Sequence, residues 1–255
     1  MQFNNNSKFF HEENWIILES VHSTNTYAKE ILSNSRPFVD GTLILAHEQV
    51  AGRGQNQNTW VSEPGKNLTF SFILDIRFLS LKRQFQLNQT ICLGILDFLH
   101  SMGFDDSRIK WPNDLYIGEK KVGGILIENI ISGNQHKYSV VGIGLNINQT
   151  EFPKGLSRAV SFKSLKGLEY DKMEILKNLL KSLEFRLFQL GRSEFLGIEE
   201  DFQNSLFGKG QLRYFRDEEN SFQGIIQGTS TEGKLILKIG EQEKKFDHHE
   251  VFFVF

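Results

Sequence analysis

Lys110-Trp111-Pro112-Asn113-Asp114, followed seven residues after Asp114 by Lys121-Val122-Gly123-Gly124, is the stretch on which the reading of this chain turns. It runs from a strand end through a proline-stiffened turn into a returning strand, so it forms one short hairpin carrying cations beside a glycine surface. A lysine fixed on a strand can neutralise a carboxylate and a phosphate together, while adjacent glycines let a ligand lie against the main chain. The pattern therefore suits an acid-anhydride site. Upstream, Gly52-Arg53-Gly54 stands in a polar loop running from Gln49 to Lys66 and supplies a second anion-binding element.

Around the hairpin, Ile109 to Trp111, Leu115 to Ile117, Val122 to Ile131 and Tyr138 to Ile147 read as strands. Their tight connections lie at Gly118-Glu119 and Ser132-Gly133-Asn134. Trp15 to Ser20 and Gly41 to His47 add two more, and Leu68, Phe70, Phe72 and Leu74 alternate with Thr69 and Ser71 as in a strand with one buried face. Ser23-Thr24-Asn25 offers caps to a helix over Thr26 to Leu32. Leu87, Ile91, Ile95, Phe98 and Met102, then Met173, Leu176, Leu180, Leu183, Leu187 and Leu190, recur at three-and-four spacing, which predicts two amphipathic helices packed on the sheet.

Beyond about Phe207 the texture changes to short alternating segments punctuated by Gly208, Gly210, Gly224, Gly228, Gly233 and Gly240, as in a small β-barrel. The expected fold is α+β: a mixed, largely antiparallel sheet with packed helices over residues 1–206, then a small β unit over 207–255.

The 29 basic and 31 acidic residues nearly cancel, giving no overall electrostatic case for nucleic-acid or membrane-surface binding. The single cysteine, Cys92, sits in an apolar run and reads as core. Neither a basic leader into an apolar segment nor a bilayer-length apolar run is present, so a cytoplasmic protein is expected. No Walker-type loop or metal-spaced Cys/His cluster occurs, and His248-His249 are adjacent, which points their side chains to opposite sides of a strand.

Strand alternation sends Lys120 and Lys121 to opposite faces, so only one can line a pocket, and the neighbouring glycines select Lys121. Lys110 and Trp111 read equally as nucleotide contacts or as wall. Asn113 reads as a ligand contact, whereas Asp114 reads equally as a turn former or as an oxygen for Mg²⁺-bound phosphate.

Ser23-Thr24-Asn25, Gln49 to Gly54 with Trp60, Lys110 to Asp114, Lys120 to Leu126 and Gly142-Ile143-Gly144-Leu145-Asn146-Ile147-Asn148 resemble, in order and spacing, the motifs of biotin protein ligases. The resemblance spans about Trp15 to Asn148 with motifs and implies a class II synthetase-like catalytic domain followed by an SH3-like barrel. It also implies a two-step reaction. Biotin and ATP, carried with Mg²⁺, form biotinyl-5'-AMP, whose acyl group then passes to a lysine of a biotin carboxyl carrier domain. No tightly bound prosthetic group is implied.

Under that resemblance Lys121 and Arg53 are the catalytic cations. Ser23, Thr24, Asn25, Gln49, Gly123 and Gly124 meet biotin together with Lys121, and Arg53, Gly54, Gln55, Lys110, Trp111, Asn113 and Asn146 meet the nucleotide. Asp114 is the candidate oxygen for Mg²⁺. Much of the family places further arginines after the Gly-Arg-Gly element, but here Gln55-Asn56-Gln57-Asn58 follows. A less cationic loop and a leakier adenylate are expected. The competing enzyme is a lipoate or octanoate transferase of the same fold. With 22 residues ahead of Ser23, too few for the winged helix of the repressor type, no nucleic-acid role is expected. A monomer or weak homodimer is expected.

Overall fold

The computed structural model describes residues 9–33, 38–55, 58–133 and 135–255. In chain order these form β1 (Trp15–Val21), α1 (Thr24–Ser33), β2 (Leu43–Gln49), β3 (Leu68–Asp75), α2 (Gln84–Ser101), β4 (Ser107–Lys110), β5 (Asp114–Ile117), β6 (Lys120–Ser132) and β7 (Gln135–Leu145). There follow α3 (Phe162–Lys166), α4 (Lys172–Gly191), α5 (Phe195–Asn204), β8 (Leu212–Arg216), β9 (Ser221–Thr229), β10 (Leu235–Ile239), β11 (Gln242–Phe246) and β12 (Phe252–Val254). None of the described helices is long and apolar enough to cross a membrane.

Seven strands make one sheet in the order β1-β2-β3-β7-β6-β5-β4. Its β1/β2 pair is parallel and the other pairs are antiparallel, as the short turns from β4 to β5 and from β5 to β6 require of those two. The apolar stripes of α2 and α4 close one face: Leu87, Ile91, Ile95 and Phe98 join Leu176, Leu180, Leu183 and Leu187 in a core that also holds Phe70, Phe72 and Ile143. The two helices approach closely where Gly94 meets Leu183, since a Cβ at Gly94 would stand 2.8 Å from the Leu183 Cδ2.

The other face is covered as well. Ala28 and Ile31 of α1 pack with Ile44, Ile73 and Val140. Both faces of β3 are therefore buried, Ser71 completely and Thr69 nearly so, in place of the single buried face that the alternation predicts. Period-two reading identifies the strand but cannot see a helix arriving on its polar side.

The remaining strands form a five-stranded antiparallel sheet in the order β11-β10-β9-β8-β12. It shares the main core: Phe215, Ile226, Leu235, Leu237 and Val251 belong to the same apolar cluster, and the buried Trp111 donates from Nε1 to the Gly233 carbonyl at 2.9 Å. Cys92 is buried in the main core, where desolvation raises its thiol pKa far above the usual range and leaves it unreactive.

Asp40, just ahead of β2, has its carboxyl raised to about 6 by burial, against the lowering pull of the Asp75 amide it accepts from. The native state therefore holds that proton more tightly than the unfolded chain does. Stability from this group is present below about pH 4 and is lost as pH rises through 6. Asp40→Asn, which keeps the acceptor, is expected to gain about 2 kcal/mol relative to the native chain at pH 7.5 and nothing at pH 4, read by urea unfolding at both values.

Candidate active site

The motifs converge on one cavity of about 230 Å³ on the α1 face of the large sheet. Its floor is made by β7 and β6, its sides by the start of α1 and the end of β2, and a further wall by residues 53–55 and 58–60. The glycines of β7 make the room. A Cβ at Gly142 would lie 2.1 Å from Asn25 Oδ1, and one at Gly144 would lie 2.4 Å from the Trp60 ring, so both side chains rest directly on bare backbone.

The polar end is hydrogen-bonded throughout. Gln49 Oε1 accepts from the Thr24 amide at 2.7 Å and from the Thr24 hydroxyl at 3.1 Å. The Ser71 hydroxyl reaches Thr24 Oγ1 at 2.7 Å and Asn25 Oδ1 at 2.6 Å, and Asn25 Nδ2 donates to the Leu126 carbonyl and to Glu128. Ser23, Thr24 and Asn25 are all buried. The helix begins at Thr24, two residues earlier than the capping pattern predicts, because Gln49 from β2 caps it.

The two expected cations line the same cavity. Lys121 reaches over Gly124 toward the Trp60 ring, 5.9 Å from its centroid, and its Nζ pairs with Asp114 Oδ1 at 2.5 Å. Its main chain is pinned by Arg158 and Val160, which bridge it from outside the hairpin. Lys120 is exposed on the other side, as alternation requires. Arg53 sits where the loop crosses itself, bridged to Thr59, and makes a two-pronged pair with Glu128 at 3.0 Å for each prong. Burial alone would raise the Glu128 carboxyl, but hydrogen bonds from Lys29, Asn25 and Arg53 hold it below the usual range.

Of the residues the sequence nominates, Ser23, Thr24, Asn25, Gln49, Arg53, Gly54, Gln55, Asn113, Asp114, Lys121 and Gly124 line the cavity. Gly123, Lys110, Trp111 and Asn146 do not line it. Gly123 faces away, because a Cβ there would strike Leu145 and the Gly144 carbonyl. Trp111 is core and ties the hairpin to the C-terminal sheet. Lys110 points to the far side, with Nζ 4.6 Å from the Phe253 ring centroid and 5.7 Å from that of Tyr116. Burial, partly offset by Asp114 and reinforced by Lys121, pulls its ammonium pKa below the lysine range. Asn146 is buried in the bend after β7, its main chain joined to Val122 and Phe162.

Asn113 lines the cavity, but its amide donates to the Ile125 carbonyl while the Ile125 amide returns to Asn113, so it clamps β6 beside the cis Trp111–Pro112 bond. Asn56 and Gln57 of the amide run lie outside the described residues.

Ser71 and Glu128 join the site through Asn25, and neither is among the residues the sequence nominates. Ser71 looked like the solvent side of a strand, and Glu128 like an ordinary polar position near the end of another.

The matching family model is that of the biotin/lipoate A/B protein ligases, and it covers residues 17–146, about half of the chain. The chain belongs to the biotin/lipoate A/B protein ligase family. Among its relatives, the bifunctional ligase/repressor BirA of Bacillus spizizenii is 30% identical over 235 residues, spanning 90% of this chain and 71% of that protein. The biotin--[acetyl-CoA-carboxylase] ligase of Paracoccus denitrificans is 29% identical over 93% of this chain and 99% of its own. The biotin protein ligase of Aquifex aeolicus, solved in complex with biotin and ATP, superposes with a TM-score of 0.79 at 27% identity, covering 95% of this chain and all of that one. This member of the family thus shares the α+β architecture with its C-terminal antiparallel sheet.

Proposed function

We propose that this chain is a C–N bond-forming ligase that joins biotin to ATP as biotinyl-5'-AMP and then passes the biotinyl group to a lysine of a biotin carboxyl carrier domain. The observation that carries the reading is the placing of Lys121 and Arg53 on one cavity together with a buried amide-and-hydroxyl network. A ureido ring presents one acceptor and two donors, which that network can meet, and Trp60, Phe70, Ile125 and Ile143 supply apolar wall for the rest of a small bicyclic acid.

In the first step a carboxylate oxygen attacks the α-phosphorus and pyrophosphate leaves. Both partners are anionic, so cations placed where charge accumulates lower the barrier. Lys121 stands on the glycine strand and Arg53 lines the same cavity from the loop after β2. In the second step a neutral carrier amine attacks the acyl carbon, AMP departs as the leaving group, and the amine loses its proton. Among the described residues no group of three or more His, Cys, Asp or Glu is set to hold a metal. Asp114 is the carboxylate on the cavity lining, which fits Mg²⁺ brought in by the nucleotide and held through one protein oxygen.

On this reading residues 1–206 are the catalytic part and 207–255 the accessory β unit. Relatives named as biotin ligases favour biotin over lipoate. Incubation with Mg-ATP, a purified carrier domain and either acid, followed by intact-mass measurement, tests it. A gain of one biotinyl group with biotin and none with lipoate is expected. Lipoylation, or no modification, would refute it.

Gln55 lines the cavity where the family places a further cation. Gln55→Arg is expected to cut release of the adenylate about fivefold, since hydrogen bonds between charged groups are roughly twice as strong as neutral ones. The readout is biotinylation of bystander lysines. Equal or greater labelling by the variant counts against a charge-held intermediate.

A further inference from the structure

Glu128 has no assigned part in the reaction, yet it is the most heavily bonded carboxylate beside the cavity. Its Oε1 accepts from Lys29 Nζ at 2.8 Å and from Arg53 Nη2 at 3.0 Å. Its Oε2 accepts from Asn25 Nδ2 at 2.9 Å and from Arg53 Nη1 at 3.0 Å. Four donors satisfy both oxygens, so the carboxylate has little capacity left for a metal or a ligand. Two elements deliver those donors, α1 and the loop after β2, to an acceptor on β6.

An isolated exposed ion pair contributes little, because two long side chains pay entropy to meet in water. This arrangement differs in two respects. The Arg53 fork is gripped by both prongs, which fixes the plane of the guanidinium. Lys29 supplies a second cation to the same carboxylate, so the group of two cations and one anion keeps one positive charge instead of cancelling. Glu128 can therefore hold Arg53 without quenching it.

We infer that Glu128 is a positioning residue: it brackets Arg53 from the β6 side, aims the guanidinium at the phosphate of the adenylate, and so sets how long the intermediate stays bound. This rests on the ligase reading above. Through Asn25 the same carboxylate reaches the network that meets the acid, so Arg53 and that network share one anchor.

Glu128→Gln keeps an oxygen for Asn25 but loses the charge-assisted grip on Arg53. With the full chain, adenylate is formed from biotin and Mg-ATP, and its escape is read as labelling of bystander lysines. E128Q is expected to raise escape about fivefold while biotin affinity, measured alone by calorimetry, stays within about twofold. Arg53→Met is expected to raise escape at least as much, and the double variant to match R53M, because Glu128 acts through that arginine. Glu128→Asp, which preserves the charge on a shorter stem, should fall between native and E128Q and serves if E128Q folds poorly.

A Glu128 effect that adds in full on top of R53M would overturn the inference, as would equal loss of biotin affinity and adenylate retention. Native protein that makes no adenylate would overturn the ligase reading and this inference with it, whereas native adenylate with unchanged escape from E128Q would overturn this inference alone.

Discussion

Lys121→Met is expected to lower the rate of biotin-dependent exchange of labelled pyrophosphate into ATP by about 10³, equivalent to about 4 kcal/mol of transition-state stabilisation. Methionine preserves the stem that lies along Gly124 and beneath Trp60, so packing is retained and charge alone is lost. The loss is compounded locally. Asp114, paired with Lys121 at 2.5 Å, would face the incoming phosphate without its cation and repel it. Lys121→Arg keeps the charge but replaces a compact ammonium with a fork too large for the same spot, and an intermediate rate is expected. Lys120→Met, one residue away on the exposed side, is expected to stay within about twofold of native, since strand alternation keeps it out of the cavity. Equal losses at the two positions would show that general weakening of the hairpin, and not the Lys121 charge, is responsible.

Gly142→Ala carries the second large effect. The added methyl would lie 2.1 Å from Asn25 Oδ1, and Asn25 cannot yield cheaply because its amide is bonded to Ser71, Leu126 and Glu128. Either the first turn of α1 moves away from β7 or the Ser71–Asn25 bond breaks. A fall of about 30-fold in biotin affinity, about 2 kcal/mol, is expected, with a drop of a few degrees in Tm. Calorimetric titration with biotin and a thermal melt give both numbers. Gly155→Ala, at a glycine with open space around it, is the control and should change neither. Native biotin affinity in Gly142→Ala would mean that the Asn25 network is not part of the acid site.

Most of the architecture could be read from periodicity because its main elements carry their apolar residues at helix or strand spacing. The α2 and α4 stripes, the hairpin from Ser107 to Ile117 and the short C-terminal strands all announce themselves by spacing. Two helices do not. In α5, Ile198 and Phe202 are buried among charged neighbours, and α3 spans only five residues behind its Ser161 cap. Neither presents a stripe long enough to stand out.

The site was legible where chemistry and glycine coincide, at Lys121-Gly124 and Gly52-Arg53-Gly54, and illegible where a role arises from assembly. Ser71 becomes part of the polar floor only because α1 settles over β3. Glu128 gains its partners from α1 and from the loop, 99 and 75 residues away in sequence. Lys110 and Trp111 show the converse. They share the motif with Asp114, yet the turn through Pro112 directs Trp111 to the core and Lys110 to the C-terminal aromatic rings, leaving Asp114 at the cavity.

The most direct measurement is a crystal structure of the native protein soaked with a non-hydrolysable biotinyl-adenylate analogue. The account predicts the ureido ring among Thr24, Asn25 and Gln49, with the phosphoryl oxygens within hydrogen-bonding distance of both Lys121 Nζ and the Arg53 guanidinium. A ligand bound with its phosphoryl group remote from Lys121, and with Lys121 still paired only to Asp114, would contradict it.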